Sequence, residues 1–579
     1  MNEPGPQSDD MEKVMKITGA TPVLIAGGGP CGLMLAIELG RRGVECVLVD
    51  PKEHTAANPQ ANATQARTME YFRRLGFADE VRALGLPKDY PTDIAYFTRY
   101  SGTELARFAL PPAGQASATA RSQSGTWNAA ELPHRVSQKF VEEVLRRRAE
   151  DFDTNSINYG VRLGAFEERP NAILAMVEDV ASGRKRTIEA QYLIGADGAR
   201  SSVRRQLGIS YTGETGVQRD FFGGKMVAIY FRAPDFYERI PHPRAWMYWA
   251  FNPERRSWCA AVNGQDEFAF HTQLKQSESE DVSDARAREL LAQAMGLELD
   301  VELLSVDTWI AGHALVAESL GRDRVYIGGD AAHLFTPAGG LGYNTAVEDA
   351  VNLGWKLAAT VKGTAGPNLL PTYAAERQRL AVRNTGYARA LAESIGNYVP
   401  NISIEAAGPE GDAAREQAGA YLNAHARREF NIPGITLGGR YDGSAAIRAD
   451  GAPPPPDAMN IYVPSASPGG RLPHMWLKDG SSVFDTLGIE WALLMVGSTH
   501  MDGVGAFRNA AGELGIELVV VDLTAEDARS LYEADLVLVR PDQVVAWRGT
   551  AEDVEPTALL RDLLGHPVTA EASDGGGKS

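Results

Sequence analysis

Hydrophobic and polar positions switch between two periods along this chain, and the switches mark out its elements. Val23-Leu24-Ile25-Ala26 is an unbroken apolar run, as in a strand buried on both faces. Leu33 to Arg42 follows at helical spacing, and Glu45 to Val49 is a second strand ending at Asp50. Met69, Phe72 and Leu75 share one side of a helix, as do Phe140, Val144 and Leu145 in another, which Ser137 is placed to cap. Residues 157–193 read as strands of a small sheet, and a strand ending at Gly195 turns at Asp197-Gly198 into a helix opened by Ser201, Ser202 and Val203. Lys225 to Arg232, Ala245 to Phe251 and Trp258 to Val262 read as adjacent strands, and Trp309 sits in a further one. Val325-Tyr326-Ile327 leads through a glycine-rich loop into a helix that Asn344 and Thr345 open, with Ala346, Ala350, Leu353 and Leu357 on one stripe. Residues 90–130 read as strands and loops, with Tyr96 and Phe97 on opposite faces and a mobile Ala/Ser/Gly/Pro-rich stretch over 111–127.

The pattern breaks at ADGAPPPPD, residues 449–457, a stiff linker. Beyond it come strands at 492–497, 517–522, 534–542 and 544–549, with helices at 503–514 and 556–564. This reads as a separate thioredoxin-like α/β domain over 458–568 that contains no cysteine and so does no dithiol chemistry.

A chain of 579 residues exceeds one core, and two or three domains are expected. A net charge of −18 argues against nucleic acid or an anionic membrane as partner. The three cysteines, Cys31, Cys46 and Cys259, form neither CxxC nor a metal spacing, so no metal site is expected and a reducing compartment suits the chain. The polar, acidic first twenty residues hold no apolar signal segment, and no uncharged apolar run is long enough to span a bilayer, so a cytoplasmic location is expected.

Two stretches carry chemistry. In the first, Gly27, Gly29 and Gly32 form GxGxxG between a strand and a helix, with Asp50 at the end of the next strand. Gly27 permits the tight turn, Gly29 lets a pyrophosphate approach, Gly32 lets the helix pack on the strand, and Asp50 is placed for a ribose hydroxyl. This unit alone does not separate NAD from FAD. The second stretch, GGDAAHLFTPAGGLGYN from Gly328 to Asn344, does. Its glycines admit close backbone approach to a flat ligand, its helix N-terminus favours an anion, and Asp330 can accept hydrogen bonds from a polyol. Polyol, flat ring and an anion formed on reduction describe a flavin.

GxGxxG with Asp50, then ADGARSSVR at Ala196–Arg204, then GGDAAHLFTPAGGLGYN, in that order and spacing, resemble the class A flavoprotein monooxygenases of the para-hydroxybenzoate hydroxylase and phenol hydroxylase type, over roughly residues 20–400. The resemblance implies a Rossmann-like FAD-binding domain, in segments 20–90, 131–214 and 313–400, interleaved with a mixed-sheet substrate domain, in segments 91–130 and 215–312, followed by a connecting segment over 401–457 and the C-terminal domain. It implies FAD held by residues matching Gly27, Gly29, Pro30, Cys31, Gly32, Asp50, Arg67, Gln138 and Asp330. Backbone of Gly340, Leu341, Gly342, Tyr343 and Asn344 is implied around the isoalloxazine, and Asp197 in FAD and NAD(P)H binding. It implies that NADPH or NADH reduces the flavin and that O2 then forms a C4a-hydroperoxyflavin, which passes one oxygen to a phenolic or polycyclic aromatic substrate near the Pro337 carbonyl. A small aromatic substrate, O2 and NAD(P)H are thus the expected partners, and a C-terminal tail that is structural or dimer-forming in such relatives points to a homodimer.

Simple phenol hydroxylases place a basic residue and a His two apart before the RTME motif; here Gln60 and Asn62 stand there. The base that would ionise a phenol is missing at that point, although Asn62 remains a candidate catalytic residue and Gln60 a substrate contact. Aromatic density peaks at Trp246, Tyr248 and Trp249, which with Trp309 are the candidate pocket walls. Period two puts Trp246 and Tyr248 on one face and Met247, Trp249 and Phe251 on the other, without saying which faces the flavin. Baeyer–Villiger or epoxidising chemistry on the same fold is the nearest alternative. A flavin-dependent halogenase is disfavoured because WMYWAF lacks WxWxIP, and a non-catalytic FAD-binding protein because the loop glycines and Asp330 are complete.

Overall fold

The computed structural model describes residues 19–215, 221–497 and 501–567. Its first sheet has a parallel core in the order Val325–Ile327, Lys185–Gly195, Ala20–Ala26, Cys46–Asp50, Asn155–Tyr159. Strands from distant parts of the sequence thus meet side by side. Ala20–Ala26 and Val325–Ile327 both pair with Lys185–Gly195, so the turns after Ala26, Gly195 and Ile327 emerge at one sheet edge. Ligands of open α/β sheets bind at the carboxyl ends of such strands. The Pro30–Gly40 helix is apolar nearly all round because it is sandwiched: the Gly342–Lys362 helix packs on it from one side and the Gln138–Glu150 helix from another. The Ala346, Ala350, Leu353 and Leu357 stripe is buried in that layer.

A second, seven-stranded sheet runs Glu302–Ile310, Lys225–Arg232, Glu267–Gln273, Arg256–Ala261, Met247–Phe251, Ile94–Phe97, Glu104–Phe108. Its core is the aromatic-rich part of the molecule. The long helices Pro371–Gly396 and Pro409–Phe430 close this region, the second packing on the Ile94–Phe97 and Glu104–Phe108 strands. Within 111–127, read as mobile loop, a helix forms over Ala116–Ser122; Ala116 and Ala120 are buried beneath it.

The C-terminal unit is a four-stranded mixed sheet, Leu518–Asp522, Trp491–Met495, Leu536–Val539, Val545–Gly549, flanked by helices Met501–Glu513 and Pro556–Leu563. It is not separate in packing. Trp355 of the Gly342–Lys362 helix meets Trp491 edge-on at 5.7 Å, and both belong to one apolar cluster. The proline stretch is tied at both ends, Asp450 to Arg548 and Asp457 to Arg383. No helix among the described residues is long and apolar enough to cross a membrane.

Candidate functional site

At the sheet edge, Gly27 is left-handed (φ 118°), and a Cβ there would stand 2.1 Å from the Ala196 carbonyl oxygen. A Cβ on Gly32 would strike the Gly27 oxygen at 1.9 Å, which is why helix and strand close only with glycine. Gly29 is different: nothing lies within 4 Å of its Cβ direction, so space opens above the helix N-terminus, where Pro30 occupies the first turn and needs no N–H partner. The Asp50 carboxylate accepts from the Gly28 N–H at 2.7 Å and the Lys52 N–H at 2.8 Å, fixing it beside that turn. Cys31 is buried next to Asp349, and burial and that charge push its thiol well up, so it fills space and is not a nucleophile.

Asp330 sits in a single 3-10 turn, Gly329–Ala331. Its side chain is open to solvent within a surround of protein, and the partial desolvation raises its carboxyl above the ordinary range. The turn is held from below by Asp349, which accepts from the Gly329 N–H (3.0 Å), from Arg377 Nε (2.7 Å) and lies 2.6 Å from His333 Nε2. Burial alone would raise Asp349; His333 and Arg377 outweigh it and keep the carboxyl below its usual value.

The glycine loop folds back on the segment before the RTME helix. Gly339 and Gly340 are both left-handed (φ 68° and 63°). Asn344 Oδ1 accepts from the Gln65 N–H at 2.8 Å, its Nδ2 donates to the Ala63 and Gly340 carbonyls, and Gln65 Nε2 donates to the Gly339 carbonyl at 2.8 Å. Tyr343 meets the Thr64 hydroxyl. The side chains of Tyr343 and Asn344 therefore fasten the loop, and the helix begins at Gly342, two residues before the sequence reading, with Leu341 at its N-cap position. Asp197 spends one oxygen on the Ser202 and Val203 N–H groups and leaves Oδ1 buried without a partner.

Three expected contacts lie elsewhere. Arg67 donates to Glu70, to the Gln543 side chain and to the Asp542 carbonyl, because its helix packs on the C-terminal unit. Gln138 is buried and donates to Glu142 at 2.6 Å. Ser137 occupies the N-cap position before it, but its buried hydroxyl accepts no cap bond.

In the second sheet the pairing register shows which residues share each face. Tyr248 stacks with Phe97 and meets Tyr100 and Phe236, and its hydroxyl accepts from the Ala245 N–H, so it is packed into the aromatic core on the Phe97 side of the sheet. The reason is the pairing register: Ala250 lies opposite Phe97, and Trp249 opposite Tyr96. Trp246 precedes the strand and carries the Arg135 guanidinium over its ring at 4.6 Å. On the other face Tyr96, Trp249, Trp258 and His271 are successive cross-strand neighbours. Trp258 and His271 stack at 3.9 Å, and Trp309 meets His271 edge-on at 6.2 Å. The Tyr96 hydroxyl, the Trp249 and Trp258 indole N–H groups, His271 Nδ1 and Asn62 Oδ1 are all buried without a partner. Four of these groups, on Tyr96, Trp249, Trp258 and His271, lie along one face of the sheet, and native interiors rarely leave such groups unpaired. Burial drives His271 down to about 3 and keeps it neutral. Gln60 is exposed, and Pro337 opens the loop beside Ala338, which is buried in the aromatic cluster. Trp258 and His271 escaped the sequence reading because each lies in an ordinary apolar strand; period two counted across strands would have aligned them.

The residues present fit a flavin dinucleotide: an open space over Gly29, a fixed Asp50, an accessible Asp330, an unpartnered Asp197 oxygen and a glycine loop anchored by its own side chains. The comparisons agree. The FAD binding domain family matches residues 20–387, and the family described as aromatic-ring hydroxylase, C-terminal, matches 465–567. The phenol 2-monooxygenase of Pseudomonas sp. (strain EST1001) is 29% identical over 94% of this chain and 92% of its own length. The tetracenomycin A2 monooxygenase-dioxygenase of Streptomyces glaucescens is 30% identical over 97% and 99%. Among solved structures, the rebeccamycin biosynthetic enzyme RebC with reduced flavin superimposes with a TM-score of 0.83 at 32% identity, covering 95% of this chain and 99% of that one. Aklavinone-11 hydroxylase with FAD and aklavinone gives 0.78 at 27%, covering 94% and 98%. With the dinucleotide turn and the glycine loop in place, and the two family models matching residues 20–387 and 465–567, this chain belongs to the class A FAD-dependent aromatic-ring monooxygenases.

Proposed function

We propose that this monooxygenase uses NAD(P)H as reductant and inserts one oxygen of O2 into a phenolic or polycyclic aromatic substrate lying against the Tyr96–Trp249–Trp258–His271 face. The observation that carries this is the row of buried, unpartnered donors set in aromatic walls. Such a wall stacks on a flat ring and offers hydrogen bonds to its oxygen substituents. When bound and reduced, FAD would activate O2 as an electrophilic oxygen donor. The chain's own residues do the rest. Asp330 and Asp50 orient the polyol and ribose hydroxyls, and the Gly339–Leu341 backbone, tied down by Asn344 and Gln65, offers N–H groups towards the ring system. The aromatic cluster excludes water from the reacting face. Neutral His271 is suited to hydrogen bonding rather than to carrying a fixed positive charge.

The names of relatives, given for phenol, for tetracenomycin A2 and for aklavinone, favour an electron-rich ring and a substrate of one to several rings. In this reading the C-terminal unit is thioredoxin-like in layout, with helices flanking a mixed sheet, and serves structure rather than redox. The purified yellow protein is incubated with NADPH or NADH and a panel of phenols and polycyclic quinones, following cofactor oxidation and product mass together. A compound that accelerates oxidation and gains one ring oxygen is the expected result; oxygen gain with ring expansion moves the assignment to Baeyer–Villiger chemistry.

A further inference from the structure

The ring-hydroxylation site needs a group to take a substrate proton, and neither Gln60 nor Asn62 is a base. A buried acid–base chain lies at the other end of the same region. Glu429, near the end of the Pro409–Phe430 helix, is 5% exposed, yet it is not tied up in an ion pair with Arg or Lys among the described residues. One carboxylate oxygen accepts from the Gly339 N–H at 3.0 Å, in the glycine loop itself. The other lies 2.7 Å from His425 Nε2, and His425 Nδ1 lies 3.0 Å from the Ser394 hydroxyl. His425 is 2% exposed, whereas Ser394 is half-buried, so the chain leads from the loop outwards.

The groups around Glu429 complete the arrangement. From the Ile94–Phe97 strand comes Tyr96, whose hydroxyl is buried and unpartnered; burial, then the Glu429 charge, push its phenol well up, so it stays a neutral donor. From the segment before the Gln138–Glu150 helix comes Arg135. It is 6% exposed and makes no hydrogen bond or ion pair among the described residues beyond its stacking on Trp246. Burial lowers its guanidinium to about 10, Glu429 partly restores it, and it remains a cation at neutral pH. From its own helix comes His425, and from the Pro371–Gly396 helix Ser394. A buried cation without a partner is costly unless an anion joins it.

We propose that Glu429, coupled to His425 and Ser394, accepts the proton of a substrate hydroxyl bound beside Tyr96, and that Arg135 is the counter-charge for the oxyanion so formed. The substrate O–H bond breaks, its electron pair stays on the substrate oxygen, and the proton is taken up by the Glu429–His425 couple and leaves towards solvent past Ser394. The ring becomes the more electron-rich phenolate, as an electrophilic oxygen donor requires. This rests on the aromatic face being the substrate wall.

The test uses the FAD-loaded enzyme and a nitrophenol whose phenolate absorbs in the visible. Wild type is expected to bind it ionised at pH values where the free phenol is still protonated. Glu429→Gln still accepts the Gly339 N–H, so flavin content should match wild type, while the ionisation of bound nitrophenol should move up by at least one pH unit. Turnover of phenols with high pKa should fall about 100-fold or more, and that of phenols already ionised by no more than about threefold. Should Glu429→Gln not load flavin, His425→Gln is read instead, with the same upward shift expected. An unshifted ionisation, or an equal loss for all phenols, overturns the proposal and makes Glu429 only a loop anchor, with hydroxylation intact. Failure of wild type to bind any phenol removes the substrate-wall reading and the proposal together.

Discussion

At the scale of single residues, the glycines of the dinucleotide turn differ in what a side chain there would meet. A Cβ at Gly32 meets backbone at 1.9 Å, so Gly32→Ala must push the helix off the strand. Overpacking of this kind costs about 2 kcal/mol or more, and a lowered urea midpoint with loss of yellow colour is expected. Gly29→Ala meets nothing within 4 Å in the protein. It should fold with an unchanged midpoint yet bind FAD about tenfold more weakly, measured by flavin fluorescence titration. Equal FAD affinity for Gly29→Ala and wild type would place the pyrophosphate elsewhere. Asp330 makes a parallel case. Asp330→Ala removes a charged acceptor from the cleft without touching the Asp349 network beneath, and hydrogen bonds to charged groups contribute about 1.5–3 kcal/mol. FAD affinity should fall roughly 10- to 100-fold by the same titration. Buried histidines set the acid side of stability. His134, His271 and His474 are each driven by burial from 6.5 to about 3. They stay neutral in the fold and charge only on unfolding, so between those values the unfolded chain holds more protons and stability falls as the pH falls. The slope is about 1.4 kcal/mol per histidine per pH unit. His474→Gln should therefore lose about that much less than wild type between pH 5.5 and 4.5 in urea titrations, where the unfolded imidazole is charged and the folded one is not.

At the scale of elements, the turn Pro541–Gln543 is the piece the sequence did not announce. Arg540 donates to Glu376 at 2.8 and 3.0 Å and to Asp542, while Lys356 and Asn352 also reach Glu376. Arg67 reaches the same turn. Glu376 is fully buried; burial alone would raise its carboxyl, and Arg540 with Lys356 drives it far below normal instead. Removing one partner of a buried set costs about 3–5 kcal/mol. Arg540→Met should lower unfolding stability by that amount, and because Glu376 and Asn352 sit on the two helices behind the flavin loop, FAD should be released at lower urea than wild type. The strands, the GxGxxG unit and the glycine loop were legible because each is a local pattern: an apolar run, a spacing, a turn. The motif at Arg67 points to FAD, and nothing in it signals Asp542 and Gln543, partners that lie far along the sequence. For Tyr248 the sequence leaves the face open, because period two gives two faces and only pairing with Ile94–Phe97 tells them apart. Glu429 and His425 sit on a mostly polar helix, where a glutamate four residues after a histidine looks like any solvated pair.

At the scale of the whole molecule, the C-terminal unit has to be counted with the flavin domain. Its sheet covers Trp355 and Leu369, which without it would be exposed apolar surface beside the glycine-loop helix. Its charges complete three buried sets: Arg471 pairs with Glu70, Arg540 with Glu376, and Glu490 with Arg42, which itself pairs with Glu38. Arg471 is what holds Glu70 ionised against burial. A chain ended at residue 457 would therefore expose an apolar face and take Arg471 from Glu70 and Arg540 from Glu376, leaving each carboxylate with one basic partner, Arg67 or Lys356. Several such losses, each of a few kcal/mol, exceed the total stability of an ordinary domain. The 1–457 fragment should be insoluble or colourless, and residues 458–579 supplied as a second chain should restore yellow, soluble protein if the interface alone is what is missing. A soluble 1–457 fragment that keeps FAD and hydroxylates at the full rate would show that these buried charges can be re-solvated without cost, and that the C-terminal unit is no part of the flavin domain's stability.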